Sequence, residues 1–272
     1  MATETQTLLA ELTEDRATGR IAAIYDEIRR FSGVPYVSSL QRYIATMPGA
    51  LEWAWDALRP ALASGAIQQT GWRLADQVTV PPLPPVPASA LAGADRVAIR
   101  TIASNFLRVS PVNLMTGACL GLLLTGAQPI GAGFESGWAP PAMLPRMPGN
   151  VDPMALPAEQ RAVLMRFSTE VDGRPFVPAL YRQLAHWPAL LAWLAEVLVP
   201  RLTAAETSTA RAAFHQAARE AAPGIVARLP KLPAGPAPDG ETTRRILATI
   251  DRYAETSPEM TMFSRLILDV LP

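Results

Sequence analysis

The fold is decided by the stretch GVPYVSSLQRYIATMPGALEWAWDALRPAL at residues 33–62, because the chain contains a second version of it. The second version is GRPFVPALYRQLAHWPALLAWLAEVLVPRL at residues 173–202, and the two align without a gap. The identical positions include three prolines, one tryptophan and one arginine, and in the first copy they are Gly33, Pro35, Val37, Leu40, Arg42, Ala45, Pro48, Leu51, Trp53, Leu58, Pro60 and Leu62. Self-similarity at a fixed period predicts a tandem duplication of a unit near half the chain length.

Helical spacing of apolar residues runs through both copies. Residues 20–32, RIAAIYDEIRRFS, place Ile24, Tyr25, Ile28 and Phe31 on one face, and Gly33 ends this helix. We expect further helices to start at Pro35 and Pro48, followed by one over residues 67–78. Two apolar helices, 94–107 and 111–125, complete the first unit, and Ser257-Pro258 in the second unit answers Ser110-Pro111. Strand signals are nearly absent apart from residues 78–80, so the sequence predicts an all-α protein with about six helices per half.

The duplication predicts how the chain is divided. We expect a first helical repeat at 1–127, a Pro/Gly-rich linker at 128–157 and a second helical repeat at 158–272. Packing the halves about a pseudo-twofold axis would bury the apolar helix faces, as in a homodimer, and would leave a pocket between them. Residues 1–17 are polar and lack periodicity, so we expect this segment to fray at its start. A homodimer of the whole chain remains open.

Composition excludes several classes of function. Lysine plus arginine and aspartate plus glutamate number 24 each, which gives no basic footprint for nucleic acid or an anionic membrane. Cys119 is the single cysteine, and the N-terminus lacks a charged segment followed by an apolar one, so we expect a cytoplasmic protein. The most apolar run, 111–127, is interrupted by polar residues and glycines and is short for a membrane span. We interpret it as a core helix.

The common catalytic motifs are missing. The sequence has no Gly-rich phosphate loop, no G-x-S-x-G and no H-E-x-x-H. His186 and His215 lie in different predicted helices without a cysteine nearby, so we expect neither a metal nor a cofactor. Cys119 lies in a Gly/Leu-rich helix, which is more typical of a small buried residue than of a nucleophile.

The repeat motifs themselves carry a family resemblance. IYDEIR at 24–29, followed by GVPYVSSLQRYIATMPGALEWAW and its second version PFVPALYRQLAHWP, resembles the group I (DehI-type) 2-haloacid dehalogenases over nearly the whole chain. The resemblance implies an all-α pseudo-dimer with a pocket between its repeats. In that pocket an aspartate activates water, which displaces halide from C2 of a short 2-haloacid without a covalent ester or a cofactor. The implied ligand is a small carboxylic acid.

The same resemblance identifies the pocket positions in this sequence. The family's catalytic aspartate falls at Leu180, whose repeat mate is Leu40, and the nearest acids are Glu170 and Asp172. The implied substrate pocket also contains residues that could equally be core packing or structural polar groups: Tyr36, its repeat mate Phe176, Ser39, Ser110 or the alternative Asn105, and Tyr253.

The duplication adds a hypothesis for the missing base. Aligning Ser110 with Ser257 sets Arg108 against Glu255 and Asn105 against Arg252. If these residues face the axis, a cation such as Arg108 would hold a substrate carboxylate while Glu255 replaces the aspartate, whereas solvated faces are the structural alternative. The sequence therefore predicts a hydrolase of a short 2-substituted carboxylic acid. The rivals are a non-catalytic small-molecule binding or interaction protein on the same scaffold, and a thiol-dependent enzyme using Cys119.

Overall fold

The computed structural model describes residues 10–135, 137–171, 174–232 and 235–271. The helices of the first half are α1 (Gly19–Ser32), α2 (Ser39–Ile44), α3 (Ala50–Ala63), α4 (Ala66–Gln77) and α5 (Arg96–Leu124). Those of the second half are α6 (Ala158–Met165), α7 (Ala179–Leu184), α8 (Pro188–Leu202), α9 (Ala205–Arg228) and α10 (Gly240–Val270). A 3-10 helix, Pro153–Ala155, precedes α6, and strands β1 (Thr169–Val171) and β2 (Arg174–Phe176) form a short antiparallel hairpin before α7. The predicted all-α class is confirmed.

Local chemistry accounts for the helix ends. Helix α1 buries Ile24, Tyr25, Ile28 and Phe31 on one face, as its periodicity predicts. It stops at Gly33, which adopts a left-handed conformation with φ of 63° and donates its backbone N–H to the Arg29 carbonyl at 2.8 Å. The two longest helices each begin after an aspartate whose side chain accepts a hydrogen bond from the first turn. These cap residues are Asp95 and Asp239.

The predicted break at VSP is wrong. Residues 94–107 and 111–125 form part of one helix, α5, which contains Pro111 in its interior, and α10 likewise contains Pro258. An internal proline removes a hydrogen bond and costs about 3 kcal/mol in an isolated helix. Here Pro111 and Pro258 are buried, and α5 and α10 form the most extensive helix pair among the described residues. Tertiary packing therefore keeps each helix continuous across its proline. As a result, the described part of each half has five α-helices rather than six.

Smaller predictions also need correction. The segment 78–80 is not a strand, and the hairpin lies instead at 169–171 and 174–176. Helices α2 and α3 begin at Ser39 and Ala50, a few residues after Pro35 and Pro48. The repeat residue Gly173 and the acid Asp172 lie outside the described residues. The predicted repeat boundaries at 127 and 157 stay a prediction, although residues 127–152 contain no helix or strand where they are described.

Two hydrophobic cores divide the molecule, and each takes residues from both halves of the sequence. The first core joins α1–α4 with the second part of α5, from Val112 to Leu123, and with residues of α9 and the first part of α10. The second joins α6–α8 with the first part of α5, from Ile99 to Phe106, and with the last part of α10. Helices α5 and α10 therefore pass from one core into the other.

Helix α5 is also the one described helix that is long and apolar enough to cross a membrane. In its most apolar 18-residue window 61% of the residues are buried inside the protein, as expected of a core helix. Most residues of this apolar stretch are thus buried against other parts of the same chain.

Helix α4 approaches α5 at the proline itself. A Cβ atom at Gly71 would lie 2.7 Å from the Pro111 carbonyl oxygen, which is closer than side-chain carbons approach backbone. Gly224 in α9 is also helical, but a Cβ atom there would meet nothing within 4 Å. The two glycines are a matched pair for testing this contact.

We predict opposite effects of alanine at these two positions. Gly71→Ala should lower the free energy of unfolding by about 1–3 kcal/mol, because the helices must separate to admit the methyl group. Gly224→Ala should raise it by about 0.5–1 kcal/mol through helix propensity. Urea unfolding followed by circular dichroism measures both. A shift of equal sign in the two variants would show that α4 and α5 are not in close contact at Pro111.

A buried carboxyl group lies between α7, α9 and α10. Glu259 is 4% exposed and its Oε1 accepts a hydrogen bond from the Tyr181 hydroxyl at 2.8 Å, while Arg211 lies 3.8 Å from its other oxygen. Desolvation raises the pKa of Glu259, and the Tyr181 hydrogen bond and the Arg211 charge offset only part of that rise. The folded state therefore holds this proton more tightly than the unfolded chain does.

We predict that ionisation of Glu259 lowers the free energy of unfolding as pH rises. The pKa of Glu259 is higher in the folded state than its unfolded value of 4.5. Below pH 4.5 the group therefore leaves the free energy of unfolding unchanged, and its destabilising effect is complete once pH exceeds the raised folded-state pKa. Glu259→Gln keeps an acceptor for Tyr181 without a buried charge, so its stability advantage over the parent should grow between about pH 4 and pH 8. Thermal unfolding across that range measures it, and a constant difference would contradict the raised pKa.

Candidate functional site

A cavity of about 1170 Å³ opens where α5 and α10 pass from one core to the other. Its wall is built from residues 35–39 before and within α2, residues 176–179 before and within α7, the centres of α5 and α10, and the linker segment 143–150. Both halves of the sequence therefore contribute, as the duplication predicts for a pocket between repeats.

Many lining residues are repeat mates. At the 140-residue offset the pairs are Tyr36 with Phe176, Val37 with Val177, Ser38 with Pro178, Ser39 with Ala179 and Arg42 with Arg182. At the 147-residue offset of the long helices, Phe106, Val109, Ser110 and Asn113 pair with Tyr253, Thr256, Ser257 and Met260. Before and within α2 the wall carries hydroxyl groups, whereas the equivalent residues at α7 are apolar. The hydroxyl groups at these positions are thus confined to the α2 side, while Arg42 and Arg182 place a guanidinium on each side.

A charged cluster lies on the α2 side. The Glu11 carboxylate pairs with Arg42, with 2.8 Å between Oε2 and Nη2, and the same nitrogen donates to the Ser39 hydroxyl at 3.2 Å. Ser39 is in turn hydrogen bonded to the Tyr253 hydroxyl. These four residues all line the cavity, so the cluster links α2 to α10 across it.

Three buried polar atoms of lining residues have no hydrogen-bond partner among the described residues. They are the Tyr36 hydroxyl oxygen, Arg42 Nε and Gln183 Oε1. Gln183 as a whole is 7% exposed. A buried polar atom without a partner is costly by about 1–3 kcal/mol, and such atoms around one cavity indicate groups that a polar ligand would satisfy.

Backbone contacts fix the linker over the cavity. Arg182 Nε donates to the Val151 carbonyl at 3.0 Å, Asn105 Nδ2 donates to the Pro145 carbonyl at 3.2 Å, and Arg108 Nη1 donates to the Ala142 carbonyl at 2.7 Å. Arg108 also donates to the Gly33 carbonyl at 3.1 Å, which ties the linker to the end of α1. The linker is therefore a defined wall of the site.

The predicted pocket residues divide into two groups. Tyr36, Ser39, Ser110, Phe176 and Tyr253 line the cavity. Leu180 does not, because it is fully buried in the second core. Asn105 and Arg108 also lie outside the lining, and their side chains donate hydrogen bonds to backbone carbonyls of the linker.

Glu255, which the sequence predicts as the replacement for the catalytic aspartate, does not lie at the cavity. Glu255 is exposed and is absent from the described lining, so Arg108 and Glu255 do not face each other across it. Glu170, in β1, is exposed as well. A catalytic role for Glu255 stays an untested prediction, and the carboxylates that do line the cavity are Glu11, Glu14 and Asp15.

Sequence reasoning missed the N-terminal acids and the amides Asn113 and Gln183. The segment from Leu12 onward is held before α1, because Leu12 donates its N–H to the Arg42 carbonyl at 3.0 Å, and the fraying expected at the start of the segment stays a prediction. Residues 1–9 lie outside the described residues. The amides could have been found from the family resemblance, since they lie within four residues of Ser110 and of Leu180, both of which it had selected.

The phenols of the site are neutral hydrogen-bonding groups. Desolvation raises the pKa of Tyr253 to about 12, although the Ser39 hydrogen bond opposes part of the rise, and it raises that of Tyr36 further. Both phenols therefore stay protonated near neutral pH and cannot serve as a base there. Within the described ranges no group of three or more His, Cys, Asp or Glu side chains could hold a metal ion.

Comparison with known proteins gives the fold. No protein-family model and no curated protein sequence matches the chain. A D-2-haloacid dehalogenase mutant solved in complex with D-2-CPA has 16% identity and a TM-score of 0.74, covering 97% of this chain and 96% of its own. A D-2-haloacid dehalogenase in complex with L-LA has 20% identity and a TM-score of 0.63, and another mutant has 21% and 0.61; each covers 97% of this chain and 94% of its own. The resemblance found in the sequence is thus confirmed for the fold.

We predict that Cys119 is inert in the native protein. The thiol is fully buried in α5, and desolvation raises its pKa to about 12, so almost no thiolate exists near neutral pH. Iodoacetamide at about pH 8 should leave native Cys119 unlabelled and should label it fully after unfolding in guanidinium. Mass spectrometry measures both. Rapid labelling of the native chain would favour the thiol-dependent alternative.

Proposed function

We propose that this chain binds a 2-substituted carboxylic acid in the cavity and replaces the substituent by hydrolysis, with 2-haloacids as the leading substrates. It would act in the cytoplasm without a cofactor. The observation that carries the proposal is the polarity of the cavity wall. The wall carries guanidinium groups at Arg42 and Arg182, hydroxyl groups at residues 36, 38 and 39, and apolar side chains at the equivalent residues 176, 178 and 179. A carboxylic acid has the same division between its anionic head and its hydrocarbon part.

Arg42 is the proposed carboxylate anchor. Its Nη2 is engaged by Glu11 and Ser39, whereas Nε is buried and has no partner among the described residues. A guanidinium is planar and presents its donors in a fixed fork, so a carboxylate oxygen at Nε would make a charge-assisted hydrogen bond. The Tyr36 hydroxyl and Gln183 supply further polar contacts on the same cavity.

The apolar wall would hold the hydrocarbon part and the leaving group. Phe176 and Ala179 come from the second half, and Phe106 and Val109 come from α5. Water attacking C2 from within such a cavity would release the substituent as an anion and leave a 2-hydroxy acid. The solved structures of similar fold are D-2-haloacid dehalogenases, which supports this reaction class.

The volume bears on substrate length. A cavity of about 1170 Å³ lies just above the usual range of ligand sites, about 300–1000 Å³, and exceeds what a three-carbon acid fills. Acids with longer or aromatic C2 substituents therefore belong in the substrate panel beside 2-chloropropionate.

One observation favours the non-catalytic alternative. Leu180, at the position where the family resemblance implies the catalytic aspartate, is fully buried among apolar residues of the second core. A leucine cannot accept a proton, so a chain without another base would keep the binding site and lose the reaction. Binding and turnover must therefore be measured separately.

We predict that D- or L-2-halocarboxylic acids bind the parent chain and release halide, and that Arg42→Gln weakens both steps. Loss of one charge-assisted contact, about 1.5–3 kcal/mol, should raise Kd or KM roughly 10-fold or more. Isothermal calorimetry measures binding, and a halide electrode measures turnover. Arg166→Gln, which breaks an exposed ion pair with Glu196 away from the cavity, is the matched control.

The outcomes separate the two functions. Halide release by the parent chain, reduced in Arg42→Gln and unchanged in Arg166→Gln, supports the hydrolase. Saturable binding of the acids that raises the melting temperature, without halide release, supports the binding protein. Absence of both binding and turnover across the acid panel would overturn the carboxylate site.

A further inference from the structure

The segment before α1 forms one wall of the cavity and is fixed to α1 and α2. The Tyr25 hydroxyl donates to the Leu12 carbonyl at 2.9 Å, and Leu12 N–H donates to the Arg42 carbonyl at 3.0 Å. Glu14 pairs with Arg29 and accepts a hydrogen bond from Val37 N–H at 2.9 Å. A segment without helical periodicity is thus held against the site by several contacts.

The second half contains an equivalent arrangement. Val151 N–H donates to the carbonyl of Arg182, the repeat mate of Arg42, at 3.2 Å. The residues just before these two hydrogen-bonded positions are Glu11 and Asn150, and both line the cavity. Two equivalent segments therefore present different groups to the cavity, a carboxylate at Glu11 and a neutral amide at Asn150.

Glu11 is well placed to act on a molecule bound at Arg42. Its side chain is 8% exposed, and its Oε2 lies 2.8 Å from Arg42 Nη2. The same guanidinium carries the buried Nε that has no partner among the described residues. Glu11 is therefore the lining carboxylate in direct contact with the guanidinium that the proposed function uses as the carboxylate anchor.

The other lining carboxylates are less suited to this role. Glu14 is occupied at both oxygens, one accepting from Val37 N–H and the other pairing with Arg29. Asp15 is exposed, and a hydrogen bond from the Thr13 side chain lowers its pKa, which makes it a weaker base. Glu11 is the lining carboxylate that is both shielded from solvent and close to the anchor.

We propose that Glu11 is the catalytic base of this site, in place of an acid at position 180. The assignment rests on the proposed hydrolase function. The water oxygen bonds to C2 while the C2–halogen bond breaks, and the halogen leaves as halide with the bonding pair. The water proton passes to the Glu11 carboxylate and then to solvent, so the products are the 2-hydroxy acid, halide and one proton.

Glu11→Gln tests the assignment because glutamine keeps the size of the side chain and cannot serve as the carboxylate base. A positioned general base contributes about 10²–10⁴-fold to rate, so kcat for halide release should fall by about that factor. Binding of the same acid, measured by calorimetry, should stay within about 10-fold of the parent, because Arg42 is retained. Glu196 is an exposed glutamate that pairs with Arg166 outside the cavity lining, so Glu196→Gln should leave kcat unchanged.

A second variant guards against a purely structural effect. Glu11→Asp keeps the charge that pairs with Arg42 but withdraws the carboxylate by one methylene, so kcat should fall while the melting temperature stays near that of the parent. A melting temperature of Glu11→Gln near the parent's, together with lost turnover and retained binding, supports the base.

Other results overturn it in distinguishable ways. Halide release by Glu11→Gln within a few-fold of the parent would remove Glu11 as the base and leave the hydrolase intact. Turnover that is lost in Glu11→Gln only in proportion to lost binding would make Glu11 a support for Arg42 rather than a base. Acid binding without any turnover by the parent chain would overturn both the base and the hydrolase.

Discussion

The packing of α5 against α10 is the constraint on which the rest of the structure depends. Each of these helices has one part in the first core and the other part in the second, so neither core can be completed by one half of the sequence. The point of passage lies near Pro111 and Pro258, and the cavity opens there because lining residues come from the same turns. A site at the junction of two cores is rigid on both sides, which favours the preorganisation that catalysis and selective binding need.

The two similar stretches of the sequence differ in the side chains that they place in the cavity wall. Several positions that line the cavity before and within α2 align in the sequence with lining positions before and within α7. Tyr36 and Ser39 carry hydroxyl groups, whereas their mates Phe176 and Ala179 carry none. A symmetric pocket would bind both ends of a ligand alike. This one carries hydroxyl groups at Tyr36 and Ser39 where the equivalent positions are apolar, and this difference is the basis of the proposed carboxylic acid ligand.

The sequence predicted the class of fold, because helical periodicity is a local signal that can be counted. The family resemblance also selected five residues that line the candidate cavity: Tyr36, Ser39, Ser110, Phe176 and Tyr253. Prediction from the sequence failed where tertiary packing overrides local preference. Pro111 reads as a helix boundary, yet its burial between packed helices keeps α5 continuous. Glu11 lies in a polar segment without periodicity, and its ion pair with Arg42 joins residues far apart in the chain, which no local pattern records. Leu180 was assigned to the pocket by resemblance alone, and helix α7 turns that side chain into the second core.

The two repeated arginines show how one inherited residue serves two purposes. The backbone carbonyls of Arg42 and Arg182 accept equivalent hydrogen bonds, from Leu12 N–H and Val151 N–H respectively. The side chains differ because the incoming segments differ. Arg182 uses Nε on the Val151 carbonyl, whereas the Nε of Arg42 is left without a partner among the described residues and its Nη2 meets the Glu11 carboxylate. Both guanidinium groups line the cavity, and their side-chain contacts differ because the segments that reach them lie outside the most similar stretch of the two halves.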